Sequence, residues 1–258
     1  MRLLLRAAIL LALFFGGYFT LERLIVYPLD PRAISPSDAR ISQHKVGDMV
    51  VWTAPPKRGK PTVLYIHGNA GHVAKRTARF QRLMDRGYGL VAPSLRGGNG
   101  SKGWPTEASI STDIAALYIA LTSGALTGTP VTPILYGESI GAAVAINLAT
   151  TTTPRAIVLE APFTSLKDVA AHLHPQLPLA TGLMLSRWPS LARAPDVTAP
   201  LLILHGTKDD LIPPKMGRAI LNAAGSKQKE LYAVQGAGHI NMWTGDAQRR
   251  LYKFLQQF

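Results

Sequence analysis

The chain has 258 residues, 23 of them Gly and 19 Pro, no Cys, and a formal net charge of +13. That length suits one large α/β domain without requiring two, and the absence of cysteine excludes structural disulfides, thiolate metal sites and a cysteine nucleophile. The Lys and Arg residues are scattered rather than gathered in one block, a surface that favours anionic partners, phospholipid headgroups above all; without a helix-turn-helix, zinc-finger or basic-aromatic pattern beside the charge, nucleic acid is not an expected partner.

An apolar stretch follows Met1-Arg2. The uncharged run from Ala7 is about 15 residues, or about 22 Å of helix, short of a hydrocarbon core of roughly 30 Å. With Arg6 and Arg23 snorkelling, residues 3–26 become long enough to span. A cleavable signal peptide should end in a small-x-small site, but the candidate around Gly16-Gly17 runs on into aromatic and aliphatic residues, so residues 1–28 read as a membrane anchor in preference to a signal peptide. Arg2, Arg6 and the terminal amine place the N-terminus on the cytoplasmic side, with Arg23 and Arg32 as a weaker counter-signal, and the globular part on the other side.

Residues 29–40, rich in Pro, Ser and Asp, read as a linker. Short strands are expected at 41–46 and 49–53, and beyond a Pro-Lys-Arg-Gly turn the pattern alternates. Strands are predicted at 62–66, 89–92, 131–136, 156–159, 201–204 and 230–234, with helices at 73–86, 106–121, 142–149, 214–224 and a last one ending at 254. Short apolar strands alternating with helices imply a mostly parallel sheet covered on both faces. Residues 164–198 are irregular and carry Leu173, Leu177, Leu179, Leu183, Met184, Leu185 and Trp188; they form either a small apolar cap or a helix packed on the core.

The chemistry centres on Gly137-Glu138-Ser139-Ile140-Gly141, between an apolar strand and a small-residue helix. In a G-x-S-x-G elbow the serine is strained and the glycines avoid collision with the adjoining strand and helix, which lifts the hydroxyl above the sheet. A serine nucleophile needs a base, and the base an orienting carboxylate. After an elbow serine these should follow as acid, then histidine, at later strand ends. Residues 201–204 run into His205-Gly206-Thr207-Lys208-Asp209-Asp210, where Asp209 and Asp210 compete for the acid role, with Glu160 and Asp168 as alternatives. The one histidine beyond Asp210 is His239, after the last strand, in Gly236-Ala237-Gly238-His239. An oxyanion hole is expected from the backbone N–H of Ile140 and of Asn69 in His67-Gly68-Asn69-Ala70-Gly71.

Elbow, His-Gly-Asn loop, Asp turn and late Gly-His together resemble the α/β-hydrolase fold family over residues 41–258. Within it the chain is similar to the N-terminally anchored serine hydrolases related to acylglycerol lipases and lipid-thioester hydrolases. Pro93-Ser94-Leu95-Arg96-Gly97-Gly98-Asn99-Gly100-Ser101 resembles that group's arginine-glycine loop, although Ser94-Leu95 stand where an aspartate-tyrosine pair is usual. The resemblance implies the α/β-hydrolase fold, and with the residue pattern above the expected architecture is a mostly parallel sheet with helices on both faces, a small cap at about 164–198 and an N-terminal hydrophobic helix. It also implies Ser139 as nucleophile, Asp209 rather than Asp210 as acid, His239 as base, and Asn69 and Ile140 as backbone oxyanion donors.

Two weaker patterns carry no function. Gly98-Asn99-Gly100-Ser101-Lys102-Gly103 matches G-x-G-x-x-G, but Trp104-Pro105 follows where a helix should open. His172-Leu173-His174 lacks carboxylates or cysteines at ligand spacing, so no cofactor or metal is expected. The expected activity is cleavage of carboxylic esters or thioesters of lipid-like acyl groups through an acyl-enzyme. The alternatives are a catalytically silent, membrane-tethered binding protein and a serine peptidase.

Overall fold

The computed structural model describes residues 2–69, 72–177 and 182–258, with backbone alone for residues 2–4, 7 and 8. Ala70 and Gly71 of the expected oxyanion loop, Leu179 of the expected cap and the Arg2 side chain in the charge argument lie outside the described residues. Helix α1, Arg2–Val26, has 25 residues and is about 37 Å long. Its segment Ile9–Val26 has a mean hydropathy of 1.8, long and apolar enough to cross a membrane. Val26 and Tyr27, at its C-terminal end, are buried in the core of the globular part.

Residues 29–34 lie against the arginine-glycine loop: the N–H groups of Asn99 and Gly100 donate to the carbonyls of Asp30 and Pro31, and Ile34 N–H donates to Asn99 Oδ1. The Gly98–Gly103 pattern therefore belongs to a loop that holds the incoming chain. Within it Ser94, at the position where the family usually has aspartate, accepts a hydrogen bond from Asn99 Nδ2 at 3.2 Å.

The sheet is built from β1 (Ser42–Val46), β2 (Met49–Ala54), β3 (Thr62–Ile66), β4 (Gly89–Pro93), β5 (Ile134–Glu138), β6 (Ala156–Glu160), β7 (Leu201–Gly206) and β8 (Lys229–Val234). Their order is β1-β2-β4-β3-β5-β6-β7-β8. The β1–β2 and β2–β4 pairs are antiparallel, and the remaining pairs are parallel. Alternation along β3 shows why both faces must be covered. Leu64 and Ile66 enter the core under α3 (Glu107–Thr122) and α4 (Ile140–Ala149), whereas Val63 and Tyr65 enter the core under α2 (Thr77–Asp85) and the C-terminal helix Gly245–Leu255. Between β6 and β7 the chain makes an excursion containing α5 (Leu166–Leu173) and the one-turn helix Ser190–Arg193. Its end is tied to α3, because the Glu107 carboxylate accepts the N–H groups of Arg187 and Trp188 at 2.9 and 2.8 Å.

Two elements differ from the predicted ones for local reasons. The helix expected at 73–86 is a 3-10 turn, Val73–Arg76, followed by α2, and the junction falls at Arg76, whose guanidinium turns inward to Glu138. The strand expected at 131–136 runs instead over Ile134–Glu138, since Pro133 has no N–H for the ladder and Val131 N–H is held by the Leu121 carbonyl.

The turn from β5 to α4 is the most tightly packed point near the elbow. A Cβ on Gly141 would lie 2.1 Å from the Ile66 carbonyl oxygen, and one on Gly137 would lie 2.4 Å from the Gly141 carbonyl oxygen. Both neighbours are backbone and cannot rotate away. Gly141→Ala is therefore expected to lower the unfolding free energy by roughly 3 kcal/mol in urea titrations of the detergent-solubilised chain. Gly245→Ala, where the nearest neighbour to an added Cβ is a flexible arginine end at 3.5 Å, should be neutral or stabilising by up to about 1 kcal/mol.

Candidate active site

Ser139, Asp209 and His239 all follow sheet strands at their C-terminal ends, on β5, β7 and β8. In a mostly parallel sheet these ends lie on one edge, where loops from neighbouring strands converge. Ser139 precedes α4 with φ 55° and ψ −114°, a region that costs a non-glycine residue of order 1–3 kcal/mol and persists only where the surroundings impose it. They do so here: Ser139 N–H donates to the Glu160 carbonyl at 2.8 Å, and the two flanking glycines lock strand against helix.

The imidazole of His239 lies between the other two side chains. Nε2 is 3.2 Å from Ser139 Oγ and Nδ1 is 2.9 Å from Asp209 Oδ2. A carboxylate only accepts, so Nδ1 carries the proton and donates it. In the neutral ring Nε2 then presents its lone pair to the serine hydroxyl. The carboxylate in this position is Asp209. The Asp210 carbonyl instead faces the His172 ring, with Nε2 at 3.0 Å, and Glu160 is engaged elsewhere.

Asp209 is buried, and its other oxygen accepts the N–H groups of Leu211 and Ile212 at 3.1 and 2.8 Å. Burial pushes its carboxyl up. The His239 and Ile212 hydrogen bonds and the nearby His239 and His205 rings outweigh that and hold it below the usual carboxylate range. His205 packs beneath the same turn, with Nε2 2.8 Å from the Ile212 carbonyl; burial lowers its pKa, which the Ile212 carbonyl and Asp209 oppose.

On the other side of Ser139, the loop after β3 is shaped by His67. Leu95 N–H donates to His67 Nε2 at 3.3 Å, which leaves Nδ1 as the donor to the Gly68 carbonyl at 2.6 Å. Burial, with Arg76 nearby, lowers the His67 pKa to about 4, so the ring is neutral at physiological pH. Asn69 follows, and its side-chain Nδ2 donates to the Val26 carbonyl of α1 at 3.1 Å. Ile140 is the first residue of α4, where N–H groups have no carbonyl partner within the helix. Asn69, Ser139 and Ile140 line one cavity of about 190 Å³, walled by Val26, Phe163, Leu166 and Met184. The excursion after β6 thus covers one side of the serine.

A group of charged residues that sequence reasoning missed lies beneath the elbow. Arg76 holds the Glu138 carboxylate through Nη2–Oε1 at 2.5 Å and Nε–Oε2 at 3.0 Å, and Tyr65 OH donates to Glu138 Oε2 at 3.0 Å. Arg79 donates to Tyr65 OH at 2.9 Å and to Glu160 Oε2 at 2.7 Å, and Tyr136 OH and Trp243 Nε1 complete the Glu160 shell. Burial raises the Glu138 carboxyl, but the bond to Arg76 and the charges of Arg76 and Arg79 hold it at about 2. The available signal was an acid at the variable elbow position facing a helix with arginines three apart, a pattern equally common on solvated faces.

Fold and site together define an α/β-hydrolase-fold protein. Residues 57–193 and 179–242 match the family described as serine aminopeptidase, S33, and the chain belongs to that family, Hydrolase_4. It is 37% identical over 179 residues to the uncharacterized protein Rv2307c of Mycobacterium tuberculosis, an alignment covering 69% of this chain and 63% of that one. The chain thus spans less than two thirds of that relative's length. It is 29% identical over 216 residues to human alpha/beta hydrolase domain-containing protein 17B, covering 83% of this chain and 72% of that one. Among solved structures it is similar in fold to an esterase of Pyrococcus furiosus, with TM-score 0.72, 17% identity, and 89% and 98% of the two chains covered.

The neutral His67 generates a pH dependence of stability. A histidine whose folded pKa is lowered to about 4 from about 6.5 in the unfolded chain binds more protons when unfolded. Stability is therefore full above about pH 6.5 and declines as pH falls toward 4, by about 3 kcal/mol for this group. Urea titrations between pH 7 and pH 4 should show that decline, and His67→Gln should flatten the part of it lying between those two pKa values.

Proposed function

We propose that the protein is a membrane-anchored serine hydrolase that cleaves carboxylic esters or thioesters of lipid-like acyl groups through an acyl-enzyme. The observation that carries this reading is the His239 ring within hydrogen-bond reach of both Ser139 Oγ and Asp209 Oδ2. In this reading His239 Nε2 takes the hydroxyl proton as Ser139 Oγ attacks the acyl carbon. Asp209 holds the ring's tautomer and stabilises the imidazolium that forms. The oxyanion is met by the N–H groups of Ile140 and Asn69. As the tetrahedral intermediate collapses, the bond to the alcohol or thiol breaks and His239 returns the proton to that leaving group. Water, deprotonated by the same nitrogen, then attacks the acyl-serine, and the acid departs as Ser139 recovers its proton.

An apolar pocket supports acyl groups over peptides. An aminopeptidase has to hold a charged α-amino group, and a carboxylate facing the bound substrate is the simplest way to do so. Among the described residues lining the Ser139 cavity there is none. Residues 164–198 act as the cap, 29–40 as the linker and 1–28 as the single-pass anchor, with the hydrolase domain on the non-cytoplasmic side and its positive charge toward anionic headgroups.

The roles are tested by steady-state kinetics on p-nitrophenyl butanoate. Ser139→Ala and His239→Ala should each lower kcat/KM by roughly 10⁴-fold or more, and the double variant should be no worse than either single one. Asp209→Asn should cost about 10²- to 10⁴-fold, whereas Asp210→Asn should stay near wild type. Equal losses at Asp209 and Asp210 would overturn the assignment of the acid.

A further inference from the structure

Two cavities lie along the C-terminal part of α1. The inner one, about 190 Å³, contains Ser139 and Ile140. The outer one, about 300 Å³, lies between α1 and the excursion after β6 and reaches Tyr18, Leu21 and Leu177. Ile25, Val26, Ala170, His174 and Met184 line both, so the two are consecutive compartments of one groove. Tyr18, Leu21, Glu22, Ile25 and Val26 recur three and four residues apart and share one helix face. That face runs about 12 Å from Tyr18 to Val26.

The helix is fixed in place by polar contacts that leave the groove itself apolar. Glu22, the acid on this face, is buried, and its carboxylate accepts the N–H groups of Leu185 and Ser186, at 2.7 Å for the latter. Tyr27 OH donates to Ser186 Oγ at 3.2 Å and accepts from Trp188 Nε1 at 2.9 Å. Around the outer compartment the excursion exposes Leu173, Leu177, Leu183 and Leu185, the last two packed near Phe14, Phe15 and Phe19 of α1. An exposed apolar rim continuous with a helix long enough to cross a membrane lies against hydrocarbon, not water.

We propose that the last turns of α1 form one wall of the acyl-chain subsite, so that a single acyl chain of a bilayer-embedded ester reaches Ser139 laterally, along the groove between α1 and Ala170, His174, Leu177 and Met184. The reading of Ser139 as nucleophile is assumed. On this account α1 selects substrate as well as holding the protein at the membrane: a chain that fills both compartments extends from the inner cavity toward the bilayer, and a short one occupies the inner cavity alone.

The test uses the full chain in phosphatidylcholine vesicles. Leu21→Trp, which fills the outer compartment, should lower the ratio of hexadecanoyl- to butanoyl-ester kcat/KM at least tenfold. Leu24→Trp, at an exposed position of the same helix that lines neither compartment, should leave that ratio unchanged. An unchanged ratio in Leu21→Trp overturns the proposal. A second measurement is independent of turnover and exploits the cysteine-free sequence. In a Ser139→Ala background, bimane is attached to the thiol of Leu21→Cys or of Leu24→Cys, and chain-brominated palmitate is added. Quenching at position 21 should saturate at low mole fraction, while quenching at position 24 should rise linearly; linear quenching at both overturns the groove. Saturable quenching at position 21 without ester hydrolysis by the wild-type chain would instead overturn the nucleophile assignment and leave the groove standing.

Discussion

The structure depends on one close approach, that of the start of α4 to the end of β3. Gly141 sits so near the carbonyls of Ile66 and His67 that no side chain fits between them, and this brings the first residue of α4 beside the His67–Asn69 turn. The same contact holds Ser139 at φ 55°. The strain is local, but the elements imposing it are the two central strands β3 and β5 and the helix that covers them. In the proposed role of nucleophile, a serine held in this way would need no further ordering when substrate arrives, which is the physical advantage of a rigid turn.

Beneath that turn, charge joins the Val73–Asp85 segment to the sheet in addition to the apolar packing of Phe80, Leu83 and Met84. Arg76 and Arg79 face Glu138 and Glu160 with Tyr65 and Tyr136 stacked between them at a centroid distance of 4.6 Å. Removing one member of such a buried pair leaves an uncompensated charge and typically costs 3–5 kcal/mol, so the network specifies the arrangement even where it adds little net stability. Its position matters for chemistry. Glu138 and Glu160 adjoin Ser139 in the sheet, and their pairing with arginines keeps uncompensated negative charge away from the site where an oxyanion would develop.

Much of this was legible in the sequence because it is local. The strand-helix alternation, the elbow glycines, the order serine, aspartate, histidine and the Thr106 start of α3 each depend on neighbours a few residues apart. The choice between Asp209 and Asp210 was not decided by composition or spacing, since both occupy one turn; the turn's backbone directs Asp209 inward, onto the Leu211 and Ile212 N–H groups. The hydrophobic run at 1–28 was legible as an apolar helix, but the place of Ile25 and Val26 in the wall of the Ser139 cavity was not. That depends on Glu22 meeting Ser186 and Val26 meeting Asn69, contacts across long stretches of chain with no periodic signature. The ion network was hidden for the same reason, as a charged side chain turned inward reads like one turned outward until its partner is in place.

These features combine into one account. A strained serine on a rigid turn faces an imidazole held from its other side by a buried carboxylate, and an apolar cavity opens from it toward a helix of membrane-crossing length. The central claim is that Ser139 carries the acyl group between the two half-reactions. Acid-quenched intact-protein mass spectrometry during turnover of a slowly hydrolysed acyl ester tests it most directly. The account predicts a mass gain equal to the acyl group, located on the peptide containing Ser139 and lost in Ser139→Ala. Hydrolysis with no acylated protein at any time, in the wild-type chain and undiminished in Ser139→Ala, would contradict it.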